Sequence, residues 1–238
     1  MLLKACLNGP RQPAEHPALP VTAEALAADA AAVVEAGAGA LHVHAKDSSG
    51  TDTLAAGAVA EVLLAIRATV PGVAVGVTTG AWAAAGPGDR LASIAAWTVL
   101  PDFASVNWHE DGAADVAQLL LDRGVGVEAG LWTVEAVAAW RAWPGRGRCL
   151  RVLVEVMGDP ADVDRLLAAL RPAGVPVLLH GEGAAAWPVF RTAVRHGLDT
   201  RIGLEDVLVR PDGSPAAGNA QLVRDAQGLL GRARGLPG

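Results

Sequence analysis

The chain has 238 residues, 52% hydrophobic and 18% charged, with a formal net charge of −6 at pH 7; it is long enough for one sizeable core and too apolar for disorder. The acidic balance, with arginines scattered among Gly and Pro rather than gathered in a stripe, excludes a nucleic-acid backbone as partner. No apolar run is long enough to cross a bilayer and no basic stretch leads into a hydrophobic signal core, so a cytoplasmic location off the membrane is expected.

Short β-rich runs alternate with Ala- and Leu-rich helical stretches from end to end, in about eight units, the number that a closed parallel barrel requires. Residues 1–238 are therefore read as one TIM (β/α)8 domain. The predicted strands are Leu3 to Leu7, Ala40 to Ala45, Val73 to Thr78, Phe103 to Asn107, Gly126 to Leu131, Arg151 to Val156, Val175 to His180 and Thr200 to Glu205. Helices fill the gaps. Thr22 is the expected cap of the first, and Asp159-Pro160 should open the sixth, with Asp as cap and Pro at the first helical position. Gly37, Gly124, Gly174 and Gly197 follow helical segments, where a left-handed residue is wanted. Val152-Leu153-Val154 and Val175 to Leu179 are continuous apolar runs, as strands buried on both faces should be, and Pro176 fits only near a strand's start. An open doubly wound sheet would also alternate in this way, but no Gly-x-Gly-x-x-Gly turn follows the first strand. Cys6 and Cys149 lack any zinc-finger spacing and are read as buried free thiols.

Polar residues gather toward the C-terminal ends of these strands: Asn8, His42, His44, Thr78, Thr79, Ser105, Asn107, Glu128, Glu155, His180, Glu182, Glu205 and Asp206. In a barrel those ends form one mouth, and burying so many polar groups unsatisfied would cost about 1–3 kcal/mol each, so a shared site is the simpler explanation. His42 and His44 stand two apart, so on a strand both imidazoles leave from one face. Two nitrogen donors side by side need only one or two oxygens to hold a divalent cation such as zinc, and Glu205 at another strand end is the candidate third ligand. Taken alone, a His-x-His pair is more often just hydrogen-bonded. His180 is open between ligand, substrate contact and satisfied strand-end histidine; Glu128 and Glu155 between supporting and catalytic roles. His109 and Glu110 read as rim residues, and His196 as a helix C-terminal residue facing the dipole. Trp82, Trp108 and Trp132 either wall a pocket or pack the core.

These residues resemble the β-keto acid cleavage enzyme family, typified by 3-keto-5-aminohexanoate cleavage enzyme. The likeness is carried by Cys6-Leu7-Asn8-Gly9, Glu15-His16-Pro17 through Thr22, His42-Val43-His44-Ala45-Lys46-Asp47, Thr78-Thr79-Gly80, Pro101 to Ser105, and Arg201-Ile202-Gly203-Leu204-Glu205-Asp206 with Asn219-Ala220. The resemblance implies a TIM barrel using zinc, or another divalent metal, in which a β-keto acid and acetyl-CoA give acetoacetate and a new acyl-CoA by a retro-Claisen route. It implies His42, His44 and Glu205 as metal ligands, Asp206 with Arg201 as the proton-transfer pair, Thr78 and Ser105 on the keto acid's carboxylate or carbonyl, and Glu15 at the substrate's far end. It also points to a homo-oligomer, a tetramer. The chain departs from the family pattern by being shorter, by Lys46 where the family has Arg, by Asn107 to Gly112, and by Val207.

Two other readings stand beside this one. A metal-dependent enzyme on the same barrel that works without CoA, as lyase, aldolase or hydrolase, would share the ligands; amidohydrolases carry their His-x-His on the first strand with further histidines later, unlike this chain. A non-catalytic ligand-binding barrel would leave Arg201 and Asp206 without a task.

Overall fold

The computed structural model describes residues 1–233 and residue 235. Eight strands, β1 (Leu3–Cys6), β2 (Ala40–Val43), β3 (Ala74–Thr78), β4 (Phe103–Asn107), β5 (Gly126–Leu131), β6 (Arg151–Val156), β7 (Val177–Gly181) and β8 (Thr200–Ile202), are each followed by a helix. These are α1 (Ala23–Glu35), α2 (Ala56–Thr69), α3 (Pro87–Ala95), α4 (Ala113–Asp122), α5 (Val134–Ala142), α6 (Asp162–Leu170), α7 (Ala186–His196) and α8 (Asn219–Ala233). All named pairings are parallel, in the order β7-β6-β5-β4-β3-β2-β1-β8. The ring closes by a short seam between β7 and β8: Leu178 bridges Asp199, the Leu179 N–H donates to the Asp199 carbonyl at 2.9 Å, and Thr200 Oγ1 donates to the Leu179 carbonyl at 2.8 Å. This is the single TIM barrel expected. Among the described residues no helix is long and apolar enough to cross a membrane.

Period-two alternation sorts each strand between two cores. Leu41, Val43, Val75, Val77, Ala104, Val106, Val127, Val152 and Val154 belong to the apolar layer under the helices. The alternate residues fill the barrel, and many of them are charged. Low in the interior, Lys4 ion-pairs with Glu128 at 2.5 Å, Arg151 lies 3.2 Å from the other Glu128 oxygen and 3.3 Å from Asp199, and Lys4 stands 5.5 Å from the Phe103 ring centre. Glu128 therefore packs a barrel layer and is no part of the mouth.

Several strands stop short of their predicted ends. β2 ends at Val43 because the Asn8 amide takes over the His44 backbone, accepting from its N–H and donating to its carbonyl, both at 2.9 Å. β8 ends at Ile202 because the chain turns at Gly203, whose carbonyl accepts from Asp206 and Val207. A Cβ on Gly203 would lie 1.9 Å from the Cys6 carbonyl oxygen, so only glycine allows that turn against β1. β7 starts after Pro176, which has no N–H to give. Thr22 caps α1 through the Ala25 N–H at 3.2 Å, as expected. The sixth helix differs: it starts at Asp162, and Asp159 instead accepts from the Ala161 N–H at 2.9 Å, capping the turn before the helix. Gly37, Gly124, Gly174 and Gly197 all adopt positive φ, and both cysteines are buried and free.

Candidate metal centre and substrate cavity

At the C-terminal ends of the strands a cavity of about 60 Å³ opens among Pro10, His42, His44, Thr78, Trp82, Ser105, Asn107, Trp132, Glu155, Glu182, Arg201 and Glu205. His42 is the penultimate residue of β2 and His44 the first beyond it, so the two rings share a face, 5.2 Å apart between centres and nearly perpendicular. Glu205 arrives from the β8 loop with Oε2 3.8 Å from Nε2 of both histidines. One donor atom from each of the three residues lies within 4.8 Å of the others. A tetrahedral ion with bonds of about 2.0–2.2 Å holds its donors roughly 3.3–3.5 Å apart, so the three need only a small contraction to grip one.

The surroundings prepare these groups as ligands. Asp52 Oδ2 pairs with His44 Nδ1 at 2.7 Å, and because a carboxylate only accepts, the ring proton sits on Nδ1 and Nε2 faces Glu205 as a lone pair. Asp52 is itself held by Lys46 at 2.5 Å and by the Trp82 indole at 2.8 Å. Burial pushes the Asp52 carboxyl up, but His44, Lys46 and Trp82 outweigh it and hold it down at about 2. Burial foremost, with the positive charges of Lys4 and Arg201 nearby, lowers the His42 pKa and keeps that imidazole neutral. Glu205 Oε2 is buried with no hydrogen-bond partner among the described residues, as a donor awaiting an ion should be. Gly9, at φ +56°, lies so close that a Cβ there would be 2.4 Å from Glu205 Cγ; the bare backbone is what leaves room for the carboxylate.

Behind Glu205, Arg201 grips Asp206 with Nε at 3.0 Å and Nη2 at 2.7 Å, and its Nη2 also reaches Glu205 at 2.9 Å. Burial raises the Asp206 carboxyl to about 7 against the pull of Arg201, and Asp206 Oδ2 has no partner among the described residues. His180 stands between Glu155, at 3.4 Å, and Asp206, at 3.7 Å. It is buried beneath the cavity rather than lining it, and burial with Arg201 lowers its pKa to about 4, so it is neutral at pH 7. Burial works to raise Glu155, yet His180 and Arg201 outweigh it and leave the carboxyl at about 2.

The structure thus brings together six of the residues singled out in the sequence: His42, His44, Glu205, Arg201, Thr78 and Ser105, with Asp206 directly behind. Thr78 rather than Thr79 faces the cavity; Thr79 turns away to donate to the Ser105 carbonyl. Glu15 does not line the cavity: it is exposed and paired with Arg11 at 2.9 Å. His109 is an exposed rim residue against Trp132. Trp82 and Trp132 wall the cavity, whereas Trp108 is buried against Trp143. Asp52 escaped the sequence reading, although Asp47-Ser48-Ser49-Gly50 is a turn that folds the chain back and sets Asp52 opposite Lys46. Lys46, a departure from the family pattern, also donates to the carbonyls of Gly9 at 2.7 Å and Arg11 at 3.0 Å, fastening the β1 loop to β2.

A family model for beta-keto acid cleavage enzyme matches residues 1–236. No curated protein matches the chain. Among solved structures the chain is similar to apo ObcA, with a TM-score of 0.70 at 18% identity over 92% of this chain. It is likewise similar to ObcA in a ternary complex with a C4-CoA adduct and oxalate, with a TM-score of 0.69, 18% identity and 91% coverage. This chain spans 63% and 64% of those two ObcA chains. A type I 3-dehydroquinate dehydratase from Clostridium difficile superposes with a TM-score of 0.64 at 14% identity, covering 98% of this chain and 92% of that one. At these identities the structural likeness speaks to the fold.

Proposed function

The chain belongs to the beta-keto acid cleavage enzyme family, and from that premise we propose that it converts a β-keto acid and acetyl-CoA into acetoacetate and a new acyl-CoA. The observation that carries this reading is the convergence of His42, His44 and Glu205 on one point beside the Arg201–Asp206 pair. ObcA, described in complexes with oxaloacetate and with a CoA adduct, supports the class of reactants.

His42, His44 and Glu205 fit a divalent ion by donor set, spacing and the partnerless Glu205 oxygen, and we assign zinc to them. When bound, the ion supplies Lewis acidity that makes the protons between keto group and carboxylate more acidic. Asp206, held near neutrality in its proton affinity, is suited to accept such a proton. Arg201 orients that carboxylate with two hydrogen bonds and carries positive charge beside the developing enolate. Thr78 Oγ1 accepts the Gly80 N–H at 3.0 Å, which leaves its own proton to donate to the substrate carboxylate, with Ser105 on the adjacent strand. The enolate carbon attacks the acetyl thioester and expels CoA thiolate; the thiolate then adds to the substrate's original keto carbon, and retro-Claisen cleavage of the adjoining C–C bond gives the new acyl-CoA and the acetoacetate enolate, which takes back a proton, so no protein nucleophile is required. Glu15, tethered by Arg11 at the outer rim, would meet the far end of a long substrate.

Metal analysis of the purified protein and acetoacetate formation by His42→Ala test the proposal. We expect stoichiometric metal in the native protein and loss of both metal and turnover in the variant; a metal-free native protein, or undiminished turnover, removes it. A CoA-independent reaction on the same ligands is the second reading, favoured by the departure from the family pattern at Asn107 to Gly112 beside the mouth. Strict dependence of keto acid turnover on acetyl-CoA rejects it. The family reading also leads to a cytoplasmic homo-oligomer, a tetramer, which light scattering on the eluting protein would check.

A further inference from the structure

The charges around the cavity are not evenly matched. Every cation near the mouth has a carboxylate of its own: Arg201 holds Asp206 and Glu205, Lys46 holds Asp52, Arg11 holds Glu15, Arg90 holds Glu110, and beneath them Lys4 holds Glu128. Two carboxylates that line the cavity have no such partner. Glu155 has no cation of its own: it faces His180 at 3.4 Å, with the Trp132 indole beside it, and shares the more distant charge of Arg201, which Asp206 and Glu205 already hold. Glu182, on the β7 loop, is held by its backbone, which donates to the Val156 carbonyl at 3.1 Å, while its side chain makes no hydrogen bond and no ion pair among the described residues, and burial raises its pKa. Both lie in the lining with Trp132.

On the function proposed above, the metal corner balances itself once a single substrate carboxylate is present. The ion brings two positive charges and Arg201 one; Glu205, Asp206 and the substrate carboxylate bring three negative ones. Glu155 and Glu182 are then left over, in a narrow site where water screens weakly. A second carboxylate at the far end of the substrate would enter beside two like charges and find, among the described residues, no cation without a carboxylate already on it. We propose that Glu182 is a specificity-determining residue that rejects dicarboxylic β-keto acids and selects monocarboxylic ones whose far end is uncharged or positively charged. The inference rests on the β-keto acid reading but not on the identity of the ion.

The test compares 3-oxopentanoate with 3-oxopentanedioate, which have the same carbon chain and differ in the terminal carboxylate. With acetyl-CoA the first would yield propionyl-CoA and the second malonyl-CoA, with acetoacetate from both. For the metal-loaded native protein we expect kcat/KM for the monoacid to exceed that for the diacid at least tenfold. Glu182→Gln should shrink that ratio and Glu182→Lys should shrink it further, with the change falling mainly on KM for the diacid. A native protein that uses the diacid equally well, or a ratio unmoved in Glu182→Gln while both acids are turned over, overturns the proposal. If neither acid gives acetoacetate, the function reading fails instead. The affinity ratio of the same two acids for the metal-loaded protein and for Glu182→Gln, measured by calorimetry, then still decides whether Glu182 discriminates.

Discussion

The lower and upper halves of the barrel interior both bury charge, and they handle it in opposite ways. Below, Lys4, Glu128, Arg151 and Asp199 answer one another around the ring, tying β1, β5, β6 and the β7–β8 seam. Above, Glu205 Oε2, Asp206 Oδ2 and both His180 nitrogens are buried with no hydrogen-bond partner among the described residues. Below, Glu128 Oε1 and Arg151 Nε also lack a hydrogen bond but answer each other as an ion pair at 3.2 Å; buried polar groups in folded proteins are nearly always satisfied, so the cluster of unanswered atoms around one cavity marks where the molecule expects something other than itself. Charge closed on itself is architecture; charge left open is a site.

The two halves should therefore fail differently. Removing a ligand above, as His42→Ala or Glu205→Ala, should cost at least about a thousandfold in acetoacetate formation together with the metal, while the metal-free protein melts within a degree or two of native. Thermal melts of both apo proteins check this, and a large drop in the apo melting temperature would blur the distinction. Removing Glu128 below should do the reverse. Glu128→Ala strands Lys4 in the interior and should destabilise the fold by about 3–5 kcal/mol, with metal affinity in the surviving folded fraction unchanged. Denaturant unfolding read beside metal titration separates the two quantities. Asp52→Asn lies between, since it leaves the ligands intact but frees the His44 ring to turn and strips Lys46 of its counter-charge. A fall of about 10–100-fold in metal affinity is expected, measured by competition with a chelator.

Much of this contrast is legible in the amino-acid sequence. Strand and helix order follow from hydrophobic period, and period two on β2 put His42 and His44 on one side. Ligands at strand ends were visible because they interrupt apolar runs, and Arg201 to Asp206 stood out as a charged cluster at the last one. What the sequence concealed was partnership. Glu128, third of six residues in β5, and Glu155, fifth of six in β6, are both carboxylates within apolar strands, and only the register of β5 with β6 and of β6 with β7 shows that one faces Arg151 and the other His180. Asp52 was hidden because its role depends on a turn that returns the chain to Lys46. The early ends of β2 and β8 were hidden because Asn8 and Gly203 act across strands far apart in sequence.

Asp29 sharpens the comparison most finely, since it lies outside the barrel and fits neither half. Its carboxylate is half-buried between α1 and α8 and accepts from the Asn219 amide at 2.7 Å, with no ion pair among the described residues. The same Asn219 donates to the Leu7 carbonyl at 2.7 Å and accepts from the Leu204 N–H at 2.6 Å, so it pins the loop that carries Glu205. Burial raises the Asp29 pKa from 3.8 to about 6, against the pull of Asn219. A carboxyl whose folded pKa is raised contributes stability fully below about pH 4, and that contribution is lost as the pH rises through about 6, because ionisation is then easier in the unfolded chain. Asp29→Asn keeps an oxygen to accept from Asn219 and carries no charge to bury. At pH 7 it should therefore be more stable than the native protein by about 1 kcal/mol, and at pH 4 the two should match. Melting curves across that range check the sign. A stabilisation as large at pH 4 as at pH 7 would mean that the charge is not what Asp29 costs the fold, and that even here a neutral amide partner is enough to hold a half-buried carboxylate.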